Sequence, residues 1–166
     1  MIIFDASTLI LLIKIDLLEL FISDYKGSLV IPKKVKTEVC VEGREETPYL
    51  KNLIQEGQIE ALTVKNPRQK RKLMVDFNID EGEAEALLLA LQKEAELIAT
   101  DDRNAIRASR LLKIDFVTAI GFLIRAVEKK LIKRDEALFK LEKLRVFGRY
   151  SLPIIENAKN KIKGVG

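Results

Sequence analysis

The sequence predicts an α/β fold with a mainly parallel central sheet and helices on both faces. Three observations point there. Short apolar runs alternate with helical segments along the whole chain, the pattern of consecutive βα units. Helix-start signals follow several of these runs, with Pro32, Asp80 and the pair Asp101–Asp102 in place. Two of the runs, MIIFD and ELIATDD, end in acids. At 166 residues the chain is long enough to bury a full core without disulfides or structural metal.

The elements follow in order. Met1–Asp5 (MIIFD) is a short apolar strand ending in an acid, and 7–13 and 16–21 read as a helix pair. Ser28–Ile31 (SLVI) is the second strand. Pro32 then stands at the first position of a helix running to about Val41, where proline's fixed φ and missing N–H do no harm. Residues 48–55 form another helix, and 58–64 (QIEALTV) alternate as an edge strand does. A basic helix covers 67–77.

Asp80 opens a strong helix, with Glu83 three residues on completing a capping box. The apolar stripe there is Ala84, Leu87, Leu88 and Leu91. Glu96–Thr100 (ELIAT) is a strand, Asp101 or Asp102 caps the helix through Leu112, and Asp115–Thr118 (DFVT) is the last strand. Helices over about 119–130 and 134–145 follow, then a tail with a short helix after Pro153 and a basic, frayed end.

Composition removes much chemistry. The chain has no histidine and one cysteine, Cys40. Serine–histidine and cysteine–histidine catalysis are excluded, as are histidine-held zinc and an internal disulfide. The single thiol fits a reducing cytoplasm. MIIFD has no basic region, so it does not read as a signal peptide, and no apolar run has the length of a membrane span. Residues 1–100 carry 13 basic and 17 acidic side chains, whereas 101–166 carry 16 and 8. The basic second half points weakly to a polyanionic partner.

In open parallel sheets, sites form at the carboxyl ends of the strands. Asp5 ends the first strand there, and Asp101–Asp102 end the ELIAT strand. Glu38 lies about two turns into the helix after SLVI, and Glu85 in the second turn of the helix opened by Asp80. Together these place four or five carboxylates near one edge. Two such charges about 4 Å apart oppose each other by about 4 kcal/mol at an effective dielectric near 20. A fold keeps such a cluster only if a cation neutralises it or some acids stay protonated; magnesium or manganese, which prefer oxygen ligands, is the natural neutraliser. Metal held by acids beside basic surface suits phosphodiester hydrolysis.

Across about residues 1–147 the chain resembles PIN-domain nucleases. The matching pieces are IIFDAS at 2–7, PKKVKTEV at 32–39, GEAEALLLA at 82–90, IATDDRNA at 98–105 and DFVTAIGFLIRAVEKKLI at 115–132. The resemblance implies a three-layer α/β/α, flavodoxin-like fold over 1–147. Residues 148–166 then form a C-terminal tail that the resemblance does not reach. It also implies a ribonuclease using one or two Mg²⁺ or Mn²⁺ ions. Carried across by position, the metal-binding and catalytic acids are Asp5, Glu38, Glu85 and Asp102, with Asp101 as a supporting ligand. Glu85 takes the third place because EALLLA matches the family's acid-Ala-hydrophobic run better than the stretch from Glu83, which reads as a cap. Ser7 and Thr100 match hydroxyl positions that hydrogen-bond the acids. Many members are toxins of toxin–antitoxin pairs, which implies an antitoxin partner and a homodimer.

Arg103, Arg107 and Arg110 share one helix face beside Asp102. They read as a stripe tracking phosphates toward the metal, with Asn104 helping to hold the scissile strand. The plain alternative is a solvated face. The cluster Lys65, Arg68, Lys70, Arg71 and Lys72 reads as a solvated helix. Leu9, Leu12, Ile13 and 17–21 read either as core or as a homodimer seam. The function read from all this is a cytoplasmic, metal-dependent endoribonuclease that cuts single-stranded RNA and leaves 5′ phosphates. The alternative is a PIN fold kept as a weak or inactive module binding RNA or an antitoxin. A phospho-receiver domain needs an acidic pair after strand one and a lysine after the last strand; Asp5 stands alone and DFVTAIG has no lysine.

Overall fold

The computed structural model describes all 166 residues. Five strands form one sheet: β1 (Ile2–Phe4), β2 (Leu29–Pro32), β3 (Glu60–Leu62), β4 (Leu97–Ala99) and β5 (Phe116–Val117). Their order is β3-β2-β1-β4-β5 and every pairing is parallel. The ten helices are α1 (Ala6–Lys14), α2 (Leu18–Asp24), α3 (Lys33–Val39), α4 (Thr47–Gln55), α5 (Pro67–Phe77), α6 (Glu81–Lys93), α7 (Arg103–Leu111), α8 (Ala119–Glu128), α9 (Arg134–Phe147) and α10 (Leu152–Gly164). This is the α/β class that the alternating pattern predicts. The order turns at β1, since the chain builds outward through β2 and β3 and then returns to place β4 on the other side. The carboxyl ends of β1 and β4 therefore flank the topological switch point, where such sheets bind ligands.

The chain divides into two compact units. The first comprises Met1–Ile10 and Lys26–Val117, the second Leu11–Tyr25 and Thr118–Gly166. The first unit holds the whole sheet. Its core joins Ile3, Val30 and Ile98 of three neighbouring strands to Ala84, Leu87 and Leu88 of α6, Leu73 of α5, and Ala105 and Ala108 of α7. In the second unit Phe21 meets Phe122 edge to face at 4.7 Å and stacks on Tyr25 at 5.4 Å.

Local signals account for most element ends. Asp80 and Glu83 form the reciprocal capping box, with Glu83 N–H donating to Asp80 (2.8 Å) and Asp80 N–H to Glu83 (2.9 Å). Asp102, not Asp101, caps α7 by accepting from Ala105 N–H. α5 has the predicted bounds, with Asn66 accepting from Gln69 N–H at its start.

Several expectations shift. Pro32 is the last residue of β2 and the N-cap of α3, not its first helical residue. Its ψ of 152° is extended, so the strand runs one residue further. α3 stops at Val39, and β3 is only Glu60–Leu62. The stripe on α6 is wider than predicted at one end and shorter at the other. Residues 84–90 are all buried, whereas Leu91 is exposed. α6 packs against β1, β2, β4, α3, α5 and α7, so for two turns no face remains for solvent. Of the residues read as core or seam, Leu9, Leu12, Leu17 and Leu18 are buried, while Ile13, Leu20 and Phe21 are half-buried. The tail carries α10, a 13-residue helix with Ile155, Ala158 and Ile162 buried.

Candidate active site

β1 ends at Phe4, and Asp5 follows at the carboxyl edge with its N–H donating to Ala99 O of β4 (3.0 Å). That bond draws the two strand ends together. Asp5 is 2% exposed. Its Oδ1 accepts from the Ser7 hydroxyl (2.8 Å) and from Thr8 N–H (3.1 Å), and its Oδ2 accepts a short bond from the Thr100 hydroxyl. The bond to Thr8 N–H is an N-cap interaction, so Asp5 also starts α1. These donors favour the ionised form, yet burial outweighs them, aided by the Asp101 charge, and holds the carboxyl at about 7 instead of 3.8.

Asp101 and Asp102 follow β4. The Thr8 hydroxyl donates to Asp101 Oδ2 (2.6 Å), and Asp101 N–H donates to the Ser7 oxygen (3.4 Å). Thr100 receives Asp102 N–H on its hydroxyl oxygen (3.2 Å) while donating to Asp5. Ser7 and Thr100 thus hold the acids through hydrogen bonds. Thr8 does the same; the Ser-Thr pair after Asp5 was its signal in the sequence, but only the folded chain aims its hydroxyl at a residue 93 positions away.

The sequence reads Glu83 as a capping residue ahead of a ligand. It caps, and it also stands close enough to Asp80, Asp102 and Asp5 to feel their charges. Burial first, then those charges, raises its carboxyl to about 7. The capping-box motif masked this second property in the sequence.

Glu38 and Glu85 form a neighbouring group. Glu38 is half-buried beside the first turn of α6: a Cβ added at Gly82 would lie 2.8 Å from its Oε2. Burial, then the charge of Asp80, raises its carboxyl, and Glu81 and Glu85 add to the effect while Lys34 opposes it. Glu85 is 8% exposed. It accepts Lys34 N–H (3.2 Å) on Oε2 and Lys70 Nζ (3.1 Å) on Oε1. Lys70 Nζ also lies 2.6 Å from Glu81 Oε1, and Lys34 Nζ 3.3 Å from Glu81 Oε2. Glu81 is held below the ordinary carboxylate range, first by Lys70 and then by Lys34; Lys70 is raised chiefly by its bond to Glu81.

The edge thus gathers Asp5, Asp101, Asp102 and Glu83 at one end, and Glu38, Glu81 and Glu85 with two lysines at the other. Asp80 lies between them, felt by both Glu83 and Glu38. As the side chains stand, no three acids converge closely enough to hold one ion. On α7, Arg103, Arg107 and Arg110 are all exposed. Arg110 covers the Phe116 ring at 5.2 Å, and the Asn104 amide donates to Asn78 O (3.0 Å).

A family model described as a PIN domain, DUF3368, matches residues 1–163. The chain belongs to the PIN-domain family. PIN domains are generally nucleases, typically with divalent metal ions, and the five-stranded parallel sheet accords with their fold. The family match runs through α10. No curated protein and no solved structure matches the chain. No helix is long and apolar enough to cross a membrane.

Proposed function

We propose that this PIN domain is a divalent-metal-dependent endoribonuclease acting on single-stranded RNA. Asp5, Glu38, Glu85 and Asp102 are its metal-binding acids, with Asp101 in support. The observation that carries the reading is the set of mutually opposed carboxylates at the β1–β4 switch point. Asp5 is buried and raised to about 7, and Asp101 contributes to that rise. Near neutrality Asp5 either keeps its proton or meets a cation, and a divalent ion would supply that charge. Its donors are all oxygen, the ligand type that Mg²⁺ and Mn²⁺ prefer.

When bound, the ion lowers the pKa of a water and offsets charge on the phosphoryl oxygens. The chain's own residues supply the rest. Ser7, Thr8 and Thr100 fix both Asp5 oxygens, so the carboxylate enters the site in one orientation. Arg103 and Arg107, exposed on the helix that Asp102 starts, suit a phosphate backbone approaching the acids. An antitoxin partner and a homodimer belong to the proposal through the family.

The test is cleavage of an end-labelled single-stranded RNA in Mn²⁺, in Mg²⁺ and in EDTA, beside Asp5→Asn. The expected result is cleavage that requires both metal and Asp5 and leaves 5′ phosphates. RNA binding that ignores metal, with no cleavage by folded protein, would instead establish an inactive binding module.

A further inference from the structure

The three arginines of α7 are not alike. The helix reads RNAIRASRL and contains no acid, so Arg103, Arg107 and Arg110 have no carboxylate partner on their own helix. Cations on other helices do: Lys72 pairs with Asp76 at 2.7 Å, and Arg145 with Glu142 at 2.8 Å. Spacings of four and three residues put the three arginines on one face, and they span about 10 Å of the helix that Asp102 starts. All three are exposed. Arg110 differs in lying over a ring, its guanidinium carbon 5.2 Å from the centre of Phe116. Arg103 and Arg107 reach no ring. Phe116 belongs to β5, the edge strand beyond β4. It is half-buried and packs against the core of the first unit. The ring thus rests on the core and carries the guanidinium on its outer side.

We propose that Arg110, backed by Phe116, is a stacking platform for an unpaired base of single-stranded RNA, whose phosphates follow Arg103 and Arg107 away from Asp102. The inference rests on the ribonuclease reading for its substrate and deepens it. A guanidinium is planar, and laid on an aromatic ring it offers its outer face to a second flat group. Arg110 is exposed, so that outer face is open. A nucleobase seated there gains from stacking and from the positive charge beneath it. Only an unstacked base can reach the platform, so a duplex gains nothing from it. Arg103 and Arg107, with no ring beneath them, act as plain charges toward phosphate, a contact that carries no information about the base. A base held at Arg110, with phosphates at the other two arginines, fixes which phosphodiester lies at the acids.

The experiment measures binding of labelled oligonucleotides by fluorescence anisotropy. It is run in EDTA, and again in Mn²⁺ on an Asp5→Asn background, so that no probe is cut. The probes are a mixed-sequence single-stranded RNA, a ribose-phosphate oligomer of equal length without bases, and an RNA duplex. The proteins are the full chain and its Arg110→Lys, Phe116→Leu and Arg107→Gln variants. Arg110→Lys keeps the charge and changes only an exposed side chain, so it tests the platform even if Phe116→Leu folds poorly. Arg110→Lys should weaken binding of single-stranded RNA roughly three- to tenfold and leave the baseless oligomer and the duplex unchanged. Its salt dependence should match wild type, because no charge is lost. Phe116→Leu, which removes the ring beneath the guanidinium, should behave likewise. Arg107→Gln should weaken all three probes and lower the salt slope for the single strand by about 0.7. If Arg110→Lys binds single-stranded RNA as tightly as wild type, or loses equally on the baseless oligomer, the platform is overturned and Arg110 is one more surface charge. Wild type that binds no probe under either condition overturns the RNA reading itself, whereas wild-type binding that Arg110→Lys leaves intact sinks the platform alone.

Discussion

Replacing Asp5 with Asn removes one buried charge while nearly preserving shape. The folded-state pKa of Asp5, about 7, lies above the ordinary 3.8. A carboxyl raised in this way contributes stability below its unfolded pKa and loses it as pH climbs through the folded value. Above pH 5 the unfolded chain has largely released this proton, while the folded chain keeps it to about 7. Each pH unit in that window weakens the folded state by about 1.4 kcal/mol. The loss due to Asp5 between pH 5 and 8 is therefore about 2–3 kcal/mol in metal-free buffer. Asparagine escapes it. Its carbonyl still accepts from Ser7 and Thr8, but its NH₂ faces the Thr100 hydroxyl, which must turn to accept, at about 1 kcal/mol. The assay is thermal and urea unfolding of both proteins in EDTA from pH 5 to 8. The advantage of Asp5→Asn should grow with pH by about 2–3 kcal/mol, or roughly 5–10 °C in Tm for a domain of this size. Parallel stability curves, or a variant that loses ground as pH rises, would refute the claim that burial raises this carboxyl.

Three further outcomes are expected. Gly82→Ala brings a Cβ to 2.8 Å from Glu38 Oε2; the carboxylate can swing aside, so Tm should hold or rise with the better helix former while metal-dependent cleavage falls at least tenfold. A loss of several degrees in Tm would mean that Glu38 cannot move. Glu83→Gln keeps the capping box but removes a charge raised to about 7. In EDTA at pH 8 its unfolding should be no easier than wild type, and its Mn²⁺ affinity several-fold weaker; unchanged affinity would reduce Glu83 to a cap. Lys140 is 7% exposed and donates to Ile15 O (2.7 Å) and Asp16 O (3.2 Å). Lys140→Met should lower urea stability by about 1–3 kcal/mol by stripping the donor from two carbonyls, with cleavage per folded molecule unaltered.

What the sequence determined by itself was local. The capping box at Asp80–Glu83, the bounds of α5 and the helix start at the Asp101–Asp102 pair all rest on interactions a few residues apart. Caps, proline and a 3.6-residue period leave their mark directly in the chain. Alternation of strand and helix was equally legible, and with it the idea that acids ending two apolar runs share one edge. Sequence could not say that the Thr8 hydroxyl serves Asp101, 93 positions on, or that Glu83 lies within range of the Asp5 and Asp102 charges. Nor could it separate Lys70 from Arg68, Arg71 and Lys72, its equals in charge. Those distinctions come from packing: the return of the chain to place β4 beside β1 brings Thr100 to Asp5, and the seating of α5 against α6 aims one basic residue of four at Glu85. Charge neutrality and burial at this edge depend on groups far apart along the chain, so only the tertiary structure decided which acids face one another and which already hold a cation.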